Sequence, residues 1–222
     1  MSDAAVKRQT AKGSGNEAGS MLHDALVLFI ITLLAGVILG FIYQITKNPI
    51  ALQEEKKKTE SCKEVFVDAV SFEECPEFDL EEASKHFAQA GYGAQSMTDV
   101  VRAAKGADGE NIGYVLTITT SEGYGGDIVF TMGIRLDGTL NGISLLSISE
   151  TPGLGMKAEE VLKPQFADKN AAQFEYTKSG AVSDSQIDAI SGATITTNAI
   201  TNGVNAGLEY FRTVLKEGQG NE

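Results

Sequence analysis

Metal-ligating side chains are scarce in this chain. Two cysteines, Cys62 and Cys75, and two histidines, His23 and His86, are spread over 222 residues with no close ligand spacing, which argues against a structural metal site. The cysteines leave two readings open, a disulfide if the region lies outside the cytoplasm or two small buried thiols. Positive charge is also short: 18 Lys and Arg against 30 Asp and Glu give a formal net charge of -12. Such a field repels phosphate backbones, and without a basic stripe nucleic acid is not an expected partner. From Ala25 to Tyr43 there is no charge at all, in the run ALVLFIITLLAGVILGFIY bracketed by Asp24 and Lys47. That run has the length a helix needs to cross about 30 Å of hydrocarbon. No small-residue cleavage site follows it, so it is expected to remain as an anchor rather than be removed as a signal.

Within the run, Gly36 and Gly40 form a small-x-x-x-small pattern that would let another membrane helix approach closely, although glycine is common in such helices. Lys7, Arg8 and Lys12 precede the span and Lys47, Lys56, Lys57 and Lys58 follow it. Charge counting therefore does not orient it. Residues 1–21 lack periodicity and are expected to be a disordered tail, and residues 217–222 are expected to be a C-terminal tail. The membrane helix is expected over 22–46. Residues 47–94 follow as a charge-rich stalk with a solvated face and a helical segment over Leu80–Gln89, N-capped by Asp79 and ending near Gly91. His86, alone in that helix, is expected at the surface or as a capping group rather than in catalysis.

Two strands follow, over Asn111–Thr120 and Asp127–Leu136, rich in Ile, Val, Thr, Tyr and Phe. In the second, Ile128, Phe130, Met132, Ile134 and Leu136 alternate with Val129, Thr131, Gly133 and Arg135, which predicts one apolar and one more polar face. Asp137-Gly138 turns the chain into a third strand over Leu140 and Ile143–Ile148, giving an antiparallel meander. Near the end, Ile200, Val204, Leu208, Phe211 and Leu215 mark one face of a helix, placing Ser191 and Thr194 at or just before its start. The fold class is α+β: one N-terminal transmembrane helix, then a domain with a small antiparallel sheet and packed helices.

Three glycine-containing segments stand out: Gly123-Tyr124-Gly125-Gly126, Glu150-Thr151-Pro152-Gly153-Leu154-Gly155, and Ser191-Gly192-Ala193-Thr194. Each lets backbone approach a flat or phosphorylated ligand. At a helix start, free amides and the dipole favour a phosphate, and Thr194 would set a hydroxyl beside it. Taken singly, the same segments also read as a hairpin loop, a turn and a Ser191 helix cap.

Asp188-Ala189-Ile190-Ser191-Gly192-Ala193-Thr194 resembles the flavinylation motif of the FMN-binding domain shared by the G subunit of the Rnf electron transport complex and the C subunit of the sodium-pumping NADH:quinone reductase. Gly123–Gly126 and Glu150–Gly155 are similar to that family's two other recurring segments, in the same order. The resemblance covers about residues 95–215, and so implies an FMN-binding domain over 95–216. It implies FMN joined by a phosphoester to Thr194, attached by a separate flavin transferase that uses FAD. Thr196 and Thr197 lie close by, but the register of the motif selects Thr194. The implied roles are transferase recognition for Asp188, shaping of the phosphate site for Ser191, Gly192 and Ala193, and polar contacts to flavin or ribityl for Glu150 and Thr151. Gly153, Leu154 and Gly155 are implied to bring backbone close, as are Gly123, Tyr124, Gly125 and Gly126. No role is implied for Ser149.

The resemblance further implies an electron-relaying component, not a stand-alone enzyme, among the membrane and peripheral subunits of an ion-translocating ferredoxin:NAD oxidoreductase. Its soluble domain would face away from the cytoplasm. The short chain favours the Rnf assignment over the quinone reductase. A reading of another class is an anchored scaffold or sensor without covalent flavin. A Ser/His hydrolase ranks behind both, because neither histidine is near a candidate nucleophile.

Overall fold

The computed structural model describes residues 14–216, and the chain divides into two compact units at Glu54/Glu55. Residues 1–13 and 217–222, expected as tails, lie outside the described residues. Helix α1 runs over Ser14–Val65. It takes in the last residues of the expected N-terminal tail and continues through Pro49, with no break between anchor and stalk. In the first unit none of the side chains from Gly19 onward is buried, and Leu, Ile, Val and Phe are exposed all round the helix. A helix apolar on every side and long enough to cross a membrane suits hydrocarbon rather than water. The Thr32 and Thr46 hydroxyls donate back to the carbonyls of Leu28 (3.0 Å) and Ile42 (2.9 Å), so neither is left unsatisfied there.

The second unit starts at Glu55, so the expected stalk and N-terminal part join the folded body. Strands β1 (Ser71–Glu74), β2 (Gln95–Lys105), β3 (Asn111–Thr120), β4 (Ile128–Arg135) and β5 (Leu140–Ser147) form one antiparallel meander in sequence order. Between β1 and β2 lies α2 (Leu80–Gln89), whose N-cap Asp79 accepts the amides of Glu81 (2.8 Å) and Glu82 (2.9 Å). His86 lies in its last turn, its Nε2 2.9 Å from the Thr213 hydroxyl and its ring edge-on to Tyr210. After β5 come the short α3 (Ala158–Val161) and a parallel pair, β6 (Glu175–Thr177) with β7 (Gln186–Asp188). Helix α4 (Thr194–Tyr210) then continues into a π-helical turn, Phe211–Leu215.

Helix α4 covers one sheet face. Ile200, Val204, Leu208, Phe211 and Leu215 are buried among Ile118, Phe130 and Met132. A Cβ at Gly207 would stand 2.3 Å from Met132 Sδ, so the absence of a side chain lets the helix lie against the sheet. The opposite face departs from expectation. Thr131 and Gly133, on the predicted polar face of β4, are buried because the end of α1 packs there. Cys62, Val65 and Phe66 form a second cluster with Ala104 and Val115, and the Phe66 ring fills the space over Gly133. The Arg135 guanidinium lies 5.9 Å from the centre of that ring. Cys62 and Cys75 are free buried thiols, and burial pushes both thiol pKa values up.

A polar clasp fixes the end of α1. The Glu64 carboxylate accepts from the Ser144 hydroxyl and from Lys163, which also reaches Glu159. Burial alone would raise the Glu64 pKa, but the bonds from Lys163 and Ser144 outweigh it and hold the carboxyl below its ordinary 4.5. With the folded value below the unfolded one, the clasp stabilises the protein above about pH 4.5 and is lost as pH falls through the folded value. The stability gap between wild type and Glu64→Gln should therefore shrink on acidification from neutral pH, as read by circular dichroism melting in detergent. A gap that stays constant would show that the pairing adds nothing.

Candidate functional site

The three glycine-containing segments meet at the start of α4. A cleft of about 530 Å³ is lined by Tyr124, Glu150, Thr151, Leu154, Gly155, Gly192, Ala193, Thr194, Ile195 and Thr196. The meander brings them together: the β3–β4 loop carries Tyr124, the segment leaving β5 carries Glu150–Gly155, and the turn after β7 leads into the helix.

At the helix start the N-cap is Ala193, not Ser191, and no side chain caps it. Ser191 is exposed in the turn before Gly192, whose φ of 77° is in the left-handed region. The Ala193 carbonyl accepts the Thr197 amide at 3.1 Å, closing the first helical turn. The amides of Thr194, Ile195 and Thr196 precede that bond and have no intrahelical acceptor, so they remain free to donate at the positive end of the helix dipole. Thr194 is half-buried at the first helical position. Thr196 is 1% exposed and Thr197 fully buried. The Thr197 hydroxyl is committed, accepting from the Ile190 amide (3.1 Å) and donating to the Ala193 carbonyl (3.0 Å).

Glu150 ties the other two walls. Although 7% exposed, its Oε1 accepts the backbone amides of Tyr124 (2.7 Å) and Gly125 (3.3 Å), which fastens the glycine loop to the segment after β5. Gly125 is required by contact: a Cβ there would stand 2.1 Å from the Ser149 carbonyl oxygen. The loop is also held at its root, where Glu122 Oε2 accepts from Gln95 Nε2 (3.1 Å) and Asn202 Nδ2 (2.8 Å). Side chains exposed at the rim are mainly apolar, namely Tyr124, Leu154 and Ile195. Among the described residues, no Lys, Arg or His lines the cleft, and Glu150 is the one charged residue in its lining.

Of the residues expected at the site, Tyr124, Glu150, Thr151, Leu154, Gly155, Gly192, Ala193 and Thr194 line the cleft. Gly123, Gly125, Gly126, Gly153 and Ser191 belong to the supporting loops. Asp188 is apart, at the end of β7, where its Oδ1 accepts the Ala181 amide (2.7 Å) and its own amide donates to Gln165 Oε1 (2.7 Å). Sequence reasoning missed Ile195 and Thr196 as lining residues, and Gln95, Glu122 and Asn202 as loop anchors. The position of Thr196 two residues into the helix was the available signal for the first pair. The anchors come from three distant elements and left none.

Residues 123–209 match the FMN-binding domain family. The chain is 30% identical over 194 residues to the G subunit of the Na(+)-translocating ferredoxin:NAD(+) oxidoreductase complex of Acetobacterium woodii, covering 86% of this chain and 91% of that protein. It is 29% identical to the G subunit of the proton-translocating ferredoxin:NAD(+) oxidoreductase complex of Clostridium ljungdahlii, covering 84% of this chain and 89% of that one. Among solved structures, that of Shewanella oneidensis NqrC aligns with a TM-score of 0.48 at 16% identity, covering 72% of this chain and 88% of the other.

Proposed function

The chain belongs to the G subunits of ion-translocating ferredoxin:NAD(+) oxidoreductase complexes and carries their FMN-binding domain, and from that membership we propose that it relays electrons through FMN held by a phosphoester to Thr194. The observation that carries the proposal is the half-buried Thr194 at an uncapped helix start, lining a cleft walled by the other two recurring segments.

The residues present fit the group. A phosphate esterified to Thr194 would lie beside the outward amides of Thr194, Ile195 and Thr196, which supply the positive end that the cleft otherwise lacks. Tyr124, Leu154 and Ile195 offer apolar surface for a flat ring system. Of the three nearby threonines, Thr194 has the hydroxyl free for an ester, since Thr196 is buried and Thr197 is committed to backbone. Attachment would proceed by attack of Thr194 Oγ1 on the FMN-side phosphorus of FAD. The pyrophosphate bond breaks, AMP leaves and the threonine proton passes to a base, the reaction being supplied by a separate flavin transferase. Once bound, FMN supplies reversible one- and two-electron transfer. The chain's own part is to tether it, screen one side and hold the loops still.

The same reading places the second unit on the extracytoplasmic side, where a covalent tether prevents loss of cofactor by dissociation. Asp188, outside the cleft and exposed, is available to a modifying enzyme rather than to the flavin. To test the proposal, the full chain is expressed with and without a flavin transferase, and fluorescence is read on a denaturing gel alongside intact mass. A fluorescent band and an added FMN mass appearing only with the transferase support it. A bare chain under both conditions would refute it and leave the scaffold reading. Co-purification with the components of a quinone reductase would refute the assignment to a ferredoxin:NAD complex.

A further inference from the structure

Several hydroxyl side chains in the helices bond their own backbone. Thr59 Oγ1 donates to the Glu55 carbonyl (3.0 Å), Ser84 Oγ to Leu80 (2.8 Å) and Thr201 Oγ1 to Thr197 (2.8 Å), each four residues back. Ser61 does not. It lies in α1 at 2% exposure, and its Oγ has no hydrogen-bond partner among the described residues. A buried hydroxyl in this state carries its desolvation cost until a group from outside the fold supplies the missing bond.

Ser61 lines a second cleft, of about 460 Å³, between the end of α1 and β5. It shares no lining residue with the cleft at Thr194. Its carboxylates are already engaged: Glu64 accepts from Ser144 and Lys163, and Glu60 lies 3.8 Å from Lys56. Lys57 and Lys63, also in the lining, have no ion pair among the described residues. Lys57 stands four residues before Ser61 and so on the same side of the helix. What the cleft leaves unsatisfied is therefore donors, two ammonium groups and one hydroxyl. The complement is an acceptor with about two negative charges. A carboxylate brings one, whereas a phosphate monoester brings about 1.5 to 2 at pH 7. The net charge of -12 does not forbid this, because exposed charges beyond about 8 Å are largely screened at physiological salt. The volume falls within the range of small-molecule sites, leaving room beside a phosphate for an organic group against the half-buried Leu145 and Leu146.

We propose that Lys57, Ser61 and Lys63 form a binding site for a phosphate monoester, separate from the cleft proposed for FMN. The Ser61 hydroxyl donates to a phosphate oxygen, the two ammonium groups neutralise its charge, and Leu145 and Leu146 meet the organic group. The site does not depend on the FMN reading, and a chain that is never flavinylated leaves it standing.

The test uses the full chain in detergent at constant ionic strength. Lysines are acetylated with an N-hydroxysuccinimide ester, and the rate at each is read by peptide mass spectrometry. Inorganic phosphate should slow acetylation of Lys57 and Lys63 in a saturable way and leave the exposed Lys178 unaffected. Phosphate held by the free amides at the start of α4 would protect neither lysine. Phenyl phosphate should protect at lower concentration than inorganic phosphate, and acetate only at higher. In Ser61→Ala, about tenfold more phosphate should be needed for equal protection, since a hydrogen bond to a charged group is lost. Without phosphate, Ser61→Ala should melt at or above wild type, because no bond within the fold is lost and alanine favours the helix. A hydroxyl with a purely structural role predicts the opposite. Should that variant fail to accumulate, Lys57→Gln with protection read at Lys63 gives the same contrast. Protection absent in wild type, unchanged in the variants or matched by acetate would overturn the site, as would a Ser61→Ala chain less stable than wild type. Phosphatidic acid in mixed micelles, set against phenyl phosphate in solution, distinguishes a lipid headgroup from a soluble ester, and protection by either upholds the site.

Discussion

Thr194→Ala, expressed with the transferase, should give a folded protein with no fluorescent band on a denaturing gel. The loss should be complete rather than graded, because the ester needs a hydroxyl at that position and the neighbouring hydroxyls are unavailable. Thr196 is buried at the cleft floor, and Thr197 spends its hydroxyl on the Ile190 amide and the Ala193 carbonyl. Stability should change by no more than about 0.5 kcal/mol, since Thr194 is half-buried at the first helical position and alanine is the better helix former. Thr197→Ala should do the reverse, keeping the band while losing about 1–3 kcal/mol from the abandoned backbone amide. A band persisting in Thr194→Ala would locate the attachment elsewhere.

The largest stability loss is expected from Phe66→Ala, at about 3–5 kcal/mol. Phe66 is fully buried against the sheet face that α4 does not cover, and its ring occupies the space over Gly133. Glycine cannot swing inward to fill the void, so the cavity persists, and the cation–π contact with Arg135 is lost with it. Urea unfolding of the detergent-solubilised chain reads the change as a lower midpoint with unaltered slope. Because the cleft proposed for FMN lies at the start of α4, molecules that stay folded should still take up FMN. A loss below about 1 kcal/mol would mean that the α1 end merely rests on the sheet. The two variants thus separate modification from folding.

Much of this architecture can be read from the residues. Helix α2 and its Asp79 cap, strand β3, the core of β4 and the apolar face of α4 carry their period or their signal openly. Strand β2 does not. Its pairing with β3 slips between Met97 and Asp99 and again between Asp99 and Arg102, so no clean alternation survives in Gln95–Lys105. The buried end of α1 is hidden for another reason: Cys62, Val65 and Phe66 span barely one turn after a long charged stretch, too short for a 3.6-residue period to show. The polar face predicted for β4 is a correct reading of composition, overridden by that unseen layer. At the site, the three segments and Thr194 are legible by resemblance. The choice of Ala193 over Ser191 as N-cap depends on backbone geometry alone.

The alanine at the start of α4 has a kinetic consequence. A helix begun by Ala in place of Ser, Thr, Asp or Asn forgoes about 0.5–2 kcal/mol of local stability, so its first turn is less firmly held at the amide end than a capped one. If FMN is esterified by a transferase, Thr194 has to be delivered into the active site of another protein, and that delivery begins with a transient opening. On that reading the hydroxyl to be modified rides on the one turn of α4 whose start lacks a side-chain cap, and a phosphate esterified there would take the place of the absent cap. Maturation would then close the same door through which it entered.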